Sequence, residues 1–398
     1  MVYLDHNATT PLRPEVWEAM GQARFGHSMA SNPSSVHKAG LSARRLLSEA
    51  RETIASELGA QPGEIVFTGG GSEAINLALK GVALAPGNEE THMVATTIEH
   101  HAVLHALQWL GARGVDIDFV GVDRHCRADP EAFRQAIRPN TALVSVMYVN
   151  NETGAIQPVE QIGAICRERG VLLHIDAVQA VGKLPVNVND IPCDLLSCSA
   201  HKIGGPKGVG ALYVREGTPL EPLVHGGPQE SARRAGTENV MGIVGFAKAL
   251  QLAGQEREDT WERWVGLREC LYRLPREMDA VRVNSHPDMT VPNCVNMAFI
   301  YCDGMALAMN LSVQGVYVST GSACTSGDLQ PSHVLRAMGL SDRAAHGALR
   351  FSMGPATTQD ELETAIRAVR KTAERLRVIT MPDDIGHCED DCPCFVTD

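Results

Sequence analysis

The chain has 398 residues, 44% hydrophobic and 21% charged, which is enough apolar content to bury a full core and divide into two domains, and rules out a disordered chain. A formal net charge of −12 argues against a protein whose main business is coating nucleic acid, while leaving small anionic ligands open. The start MVYLDHNATT puts Asp5 and His6 where a signal peptide needs an apolar core, no apolar run is long enough to span a membrane, and the eleven cysteines are too dispersed for a secreted disulfide framework; a soluble cytoplasmic protein with reduced thiols is expected.

After a turn over residues 7–11, the pattern predicts a helix over 14–23. A polar loop, SNPSSVHKAG, follows, in which Asn32, Pro33, Ser34 and Ser35 favour local turns, and then a helix over 41–58. The segment EIVFTGGGSEAINLALKGVAL reads as a strand, three glycines and a helix opening at Ser72. Glycines let backbone N–H groups approach an anion, and a helix start adds unpaired donors, so Gly71 and Ser72 are candidate phosphate ligands. Such turns also occur for packing alone, and this one is neither a GxGxxG fingerprint nor a P-loop, since no GK[ST] follows. Next, MVATTIEHHAVLHALQWL is a strand passing into a helix near Glu99. His100 then lies at a strand end, where an imidazole can stack on a ring and exchange protons near neutral pH. His101 and His105 have a metal-compatible spacing, but without an HExxH glutamate or a third ligand they read better as surface histidines.

The strand in ALVSVMYVNNETG ends in Asn150, Asn151 and Glu152; an Asn there can donate to a phenolate or carboxylate oxygen, or simply turn the chain before Gly154. A short helix over 159–169 leads to the stretch 172–210, around which the chain is organised. Two apolar runs, VLLHID and DLLSCS, are short buried strands bounded by Gly, Pro and Asn. Asp176 and Gln179 follow the first; Ser199, His201 and Lys202 close the second. In an open parallel sheet ligands bind at the carboxyl ends of strands. A carboxylate and a lysine at adjacent strand ends suit a cofactor with an aromatic nitrogen and a carbonyl, as in pyridoxal phosphate; singly, they read as a structural Asp and a surface Lys. The strand–loop–helix alternation over 64–214 predicts a mainly parallel sheet covered on both faces.

Beyond Val214, LVHGGPQESARRAGTENV carries Arg233, Arg234 and Thr237 in a Gly-rich loop that could complete a phosphate site in a second subunit, or be only a polar loop. Residues 244–273 read as one long helix with Trp261 and Trp264 as packing anchors. The boundary between a large domain, 15–258, and a small one, 1–14 with 259–380, is placed inside it. The C-terminal third alternates a strand in VPNCVNMAFI, a helix over 304–314 and a strand in VYVST. Cys324 then sits among Ser, Gly and Thr, the composition of an accessible loop, whereas Cys294 and Cys302 lie in apolar context and read as core. ALRFSMG is a strand bearing Arg350, whose rigid fork suits a carboxylate, with a surface salt bridge as the plainer reading. An amphipathic helix over 360–378 precedes the acidic, Cys-rich tail 381–398.

With a phosphate loop, a stacking His, a donor Asn, a ring-nitrogen acid and a Lys in one chain order, the sequence resembles the cysteine desulfurases, pyridoxal-phosphate enzymes of aminotransferase fold type I. The resemblance runs from YLDHNATT to about Val378 and is most specific in LDHNATT, SNPSSVH, VNNETG, HIDAVQAVGK, SAHKIGGPKG, RRAGTEN, and TGSACTS followed by PSHVLRA. It implies a three-layer α/β fold with a mainly parallel central sheet, helices on both faces, and a smaller α/β C-terminal domain. It makes Lys202 the Schiff-base lysine, Asp176 the partner of the pyridinium nitrogen, and His100 the residue stacked on the ring. Gln179 and Asn151 would bond the phenolate or the substrate. Gly71, Ser72, Ser199 and His201 would hold the phosphate, with Thr237 reaching it from the second subunit of a homodimer. Arg350, assisted by Asn32, would clamp the substrate carboxylate.

The same resemblance makes Cys324 the nucleophile that takes sulfur from L-cysteine as a persulfide, with His100 helping to manage its thiolate. TGSACTS matches the family's longer-loop branch, which implies delivery to an acceptor protein such as an iron–sulfur scaffold; tRNA thiolation and DNA sulfur modification begin from the same persulfide. No membrane or direct nucleic-acid partner is expected. Ser72 stands where Thr is common, preserving the hydroxyl. The tail departs from the family's usual extension: His387, Cys388, Cys392 and Cys394 read either as a metal, cluster or sulfur-relay site or as thiols without a role. The competing readings are a selenocysteine lyase or another fold type I enzyme, and a non-catalytic sulfur or metal carrier working through the tail.

Overall fold

The computed structural model describes residues 1–24, 31–87, 91–321 and 331–380. Its strands are β1 (Val2–Tyr3), β2 (Ile65–Thr68), β3 (His92–Thr96), β4 (Asp116–Val120), β5 (Thr141–Met147), β6 (Leu172–Asp176), β7 (Leu195–Ser199), β8 (Gly210–Val214), β9 (Val281–Val283), β10 (Cys294–Phe299), β11 (Val316–Tyr317) and β12 (Ala348–Ser352). Seven of them form a sheet in the order β2-β8-β7-β6-β5-β3-β4. β8 alone runs against its neighbours, so the carboxyl ends of the other six share one edge. Gly210, the first residue of β8, pairs with both Thr68 and Ser199, the last residues of β2 and β7.

These strands are apolar runs because both faces are covered. Val144, Val146, Leu173, Ile175 and Leu196 pack into a core with the helices Lys38–Leu58, Val159–Arg169 and Val240–Gln255. Leu143 and Leu195 point the other way, into a core with the helices Gly71–Ala83 and His101–Gly111. The result is the expected three-layer sandwich. Each fully buried Val, Leu or Ile in it contributes on the order of 1.5–3 kcal/mol.

The C-terminal strands differ from the simple alternation expected of them. β9, β10 and β12 form an antiparallel sheet, order β12-β10-β9, whose Val295, Met297, Phe299, Leu349 and Phe351 pack with the helices Arg257–Leu271, Gly304–Val313 and Gln359–Thr380. Only two residues of VYVST pair as a strand, β11, and their partner is β1 at the far end of the sequence. Ser319 instead bridges to Arg350. The single helix expected over 244–273 is two helices, Val240–Gln255 and Arg257–Leu271. They meet at Glu256, on whose carboxylate Arg13 places both terminal nitrogens at 2.8 Å. Trp261 packs against the large core, whereas Trp264 is buried in the small one and donates to Gly354 O at 3.0 Å. Cys294 and Cys302 are buried, as their context implies. Among the described residues no helix is long and apolar enough to cross a membrane.

Candidate active site

The shared carboxyl edge of the sheet closes over a cavity of about 190 Å³. Gly71, Ser72, His100, Asn151, Asp176, Gln179, Ser199, His201, Lys202 and Arg350 all line it. Each arrives by a short route from a strand end: Gly71 and Ser72 after β2, His100 after β3, Asn151 after β5, Asp176 and Gln179 at the end of β6, Ser199 to Lys202 at the end of β7. Arg350 comes from β12 of the other sheet.

Burial sets the electrostatics. The Asp176 carboxyl is pushed up to about 6 by desolvation, opposed by the Val178 N–H that it accepts at 3.0 Å and by the Lys202 charge. His100 caps the helix His101–Gly111, its Nδ1 accepting the Ala102 N–H at 3.0 Å, so a neutral ring carries its proton on Nε2. Desolvation, then the Lys202 charge and neighbouring histidines, lower its pKa to about 4, so the ring is neutral at pH 7 rather than an imidazolium beside a thiolate. His201 is lowered to about 4 in the same way, by burial and then by Lys202 and Lys207. Lys202 Nζ donates to Asn7 O at 2.5 Å and Ala8 O at 2.8 Å.

Arg350 is 1% exposed and is no surface ion pair. Its Nη2 meets Asp5 Oδ1 at 2.6 Å and its Nη1 donates to Asn151 O at 3.0 Å, while its Nε has no hydrogen-bond partner among the described residues. Gln179 is committed on both sides of its amide: Nε2 donates to Asn7 O at 2.8 Å and Oε1 accepts from Lys183 at 2.6 Å.

Two of the residues do not line the cavity, although Thr237 is expected only in the site of a second subunit. Asn32 does not line the cavity; it is exposed, and its Oδ1 accepts the Ser34 N–H at 2.9 Å in a local turn. Thr237 is exposed on a loop fastened by Arg234 to Glu73 at 2.9 Å, and also stays out of the cavity. Cys324, His387, Cys388, Cys392 and Cys394 fall outside the described residues. His105 is exposed, while His101 is half-buried, with its ring centroid 4.9 Å from that of His333. No group of metal-ligating side chains forms among the described residues.

The sequence reading missed Asn7, Lys183 and Glu99. Asn7 is a hub: its side chain donates to Asn151 O at 3.2 Å and accepts from Lys183 at 3.1 Å, and its carbonyl serves Gln179 and Lys202. Nothing local marks it, because these partners are distant in sequence. Glu99 is fully buried; Oε1 accepts from Thr96 Oγ1 at 2.6 Å and from Met147 N at 3.0 Å, tying the turn before His100 to the end of β5.

These residues fit pyridoxal phosphate. Ser199 Oγ is buried without a hydrogen-bond partner among the described residues. A Cβ on Gly71 would sit 2.7 Å from Val178 Cγ2, so a side chain here would have to displace Val178 at a helix start that no side chain caps. An uncapped helix start beside an orphan hydroxyl is a cradle for a phosphate. A buried carboxylate and a lysine face the same space.

The chain belongs to the aminotransferase class-V family, whose pattern matches residues 2–364, and is a pyridoxal-phosphate enzyme. It is 45% identical over 383 residues, 95% of this chain and 96% of the relative, to the cysteine desulfurase IscS of Dictyoglomus turgidum. Among solved structures, a NifS-like protein superposes with a TM-score of 0.87 at 36% identity, covering 95% of this chain and 99% of that one. A structure of SspA in complex with cysteine gives a TM-score of 0.80 at 36% identity, covering 90% and 100%. The activity is that of a cysteine desulfurase, and neither the selenocysteine lyase nor the carrier reading is favoured by these relatives.

Proposed function

We propose that the cavity at the carboxyl edge of the large sheet is the desulfurase active site and that it passes sulfur to an acceptor protein through Cys324. The observation that carries the first part is that ten residues from six separate segments line one cavity. Bound pyridoxal phosphate supplies a carbonyl for amine capture and an electron sink for the substrate. Lys202 Nζ would hold the cofactor, and it would move the proton at the substrate Cα. Asp176 would face the ring nitrogen and keep it protonated, its carboxylate form supported by the Val178 N–H and the Lys202 charge against its burial. Gly71, Ser72, Ser199 and His201 bind the phosphate, with Thr237 supplied by the second subunit of a homodimer. His100 stacks on the ring. Asn151 and a remaining N–H of Gln179 orient the phenolate or the substrate.

Arg350, already aimed by Asp5 and Asn151, offers its remaining donors to the substrate carboxylate. The Cys324 thiolate takes the substrate sulfur, its S–S bond forming as the substrate C–S bond breaks. The net change is insertion of one sulfur atom into the Cys324 S–H bond and conversion of cysteine to alanine. SspA, bound to cysteine in its solved structure, supports cysteine as the substrate here. An iron–sulfur scaffold is the acceptor that the IscS relative suggests, and a cytoplasmic location is part of the same proposal. The same reading divides the chain into 15–258 and 1–14 with 259–380, a division that the β1–β11 pairing supports.

Two variants test it. Lys202→Ala is expected to lose the absorbance band of the bound cofactor. Cys324→Ala is expected to keep the band and lose alanine formation. Full activity with cysteine in the second variant would defeat the persulfide route.

A further inference from the structure

Lys183 is a buried amine for which the chemistry above has no task. It follows Gln179 in the turn after β6, is 6% exposed, and has no acidic side chain among the described residues to neutralise it. Its Nζ donates to Asn7 Oδ1 at 3.1 Å and to Gln179 Oε1 at 2.6 Å. The Asn7 carbonyl in turn accepts from Lys202 Nζ at 2.5 Å and from Gln179 Nε2 at 2.8 Å. Two amines are thus tied to the two oxygens of one asparagine, with Gln179 bridging them. Lys183 is faced by Lys202, Arg350, Cys294 and His6, and Lys202 by Asp176, His100 and His201. Both lysines also line a second cavity of about 480 Å³ with His6, Asn293 and Met353, space through which protons can be exchanged.

Two ammonium groups that share an asparagine in a desolvated site repel, and the pair holds one proton far more readily than two. We propose that Lys183 is a positioning residue for Lys202: it orients Asn7 and Gln179 so that the Asn7 carbonyl aims the Lys202 amine, and it does so as an uncharged amine. This deepens the reading of Lys202 as the cofactor lysine and rests on it. Burial brings the Lys183 pKa down to about 7, with Lys202 and Arg350 acting the same way and Cys294 opposing, so Lys183 is the amine that gives up its proton near neutral pH.

The test is the capture of pyridoxal phosphate by the apoenzyme, in which a neutral amine condenses with the aldehyde and water leaves. Its rate is followed by absorbance from about pH 6 to about pH 9.5. Lys183→Met is expected to leave the midpoint of capture in place and to slow capture about tenfold across the range, because Asn7 and Gln179 lose the donor that orients them. Lys183→Arg, charged throughout, is expected to move the midpoint below that of the wild type. An unchanged or raised midpoint in Lys183→Arg overturns the proposal and decides alone where the methionine variant does not fold, and a Lys183→Met rate equal to that of the wild type overturns it too. Borohydride reduction and peptide mapping separate this from the parent reading. Capture that survives Lys202→Ala defeats the site assignment, whereas either of those outcomes with capture at Lys202 defeats only the role of Lys183.

Discussion

Replacing Glu99 by glutamine isolates the cost of ionising a fully buried carboxyl beside the site. Desolvation raises the Glu99 pKa from 4.5 to about 8, against the opposing hydrogen bonds from Thr96 and Met147. A folded-state pKa above the unfolded one means that the protonated side chain favours folding below pH 4.5, and that this contribution is lost as the pH rises through about 8. A tenfold change in an ionisation constant corresponds to about 1.4 kcal/mol, so the whole loss amounts to about 5 kcal/mol. Glutamine keeps the oxygen that accepts from Thr96 and Met147 and cannot ionise. The expected outcome is near-equal stability of wild type and Glu99→Gln at pH 5, with the variant increasingly the more stable up to pH 8 and a constant gap above. Chemical denaturation of the holoenzyme at several pH values measures the gap. A gap that does not change with pH would refute the reasoning, since it would mean that the carboxyl ionises as freely in the fold as in the unfolded chain.

Three further outcomes concern the site. Asp176→Asn removes a charge-assisted bond worth roughly 1.5–3 kcal/mol, so the cofactor dissociation constant should rise about 10- to 100-fold in a fluorescence titration. Wild-type affinity should fall as the pH drops through about 6, where Asp176 takes a proton, and the variant should lack that step. Arg350→Lys keeps the charge but loses the fork; alanine release should show a KM for cysteine raised roughly tenfold or more with kcat little changed, and an unaltered KM removes Arg350 from carboxylate binding. Gly71→Ala drives a methyl against Val178, an overpacking cost of about 1–3 kcal/mol at the helix start. It should weaken cofactor retention in equilibrium dialysis, and full retention would mean that the turn does not bind the phosphate.

The site was legible where chemistry stands at the end of an apolar run. Asp176, Ser199, Lys202 and Asn151 could be placed because VLLHID, DLLSCS and ALVSVMYV are too apolar for anything but buried strands, and their polar residues had to emerge at one edge. Contacts between distant segments were not legible. Asp5 reaches Arg350 across 345 positions, and Asn7 meets partners from five other parts of the chain. Lys183 reads as a polar residue in a turn, and only the packing of the N-terminal segment and β10 over that turn buries it. The break at Glu256 was hidden because both halves keep a helical pattern; the Arg13 fork that seizes its carboxylate comes from the other end of the protein. Asn32 entered the site reading through the resemblance alone, and in the structure its side chain accepts within the turn in which it sits, outside the cavity lining.

The reversal of β8 has a metric consequence. Neighbouring strands lie about 4.8 Å apart, so one intervening strand sets the ends of β2 and β7 roughly 10 Å from each other. Gly210 stands midway between Thr68 and Ser199, and a side chain there would strike Gly70 and the Cys198 carbonyl from either side. β8 is therefore a spacer of fixed width between the glycine turn and the lysine turn. Lengthening the loops on either side would leave that gauge intact, whereas excising the strand would roughly halve it, making the interval between anion cradle and amine a property of the weave rather than of any residue that touches the ligand.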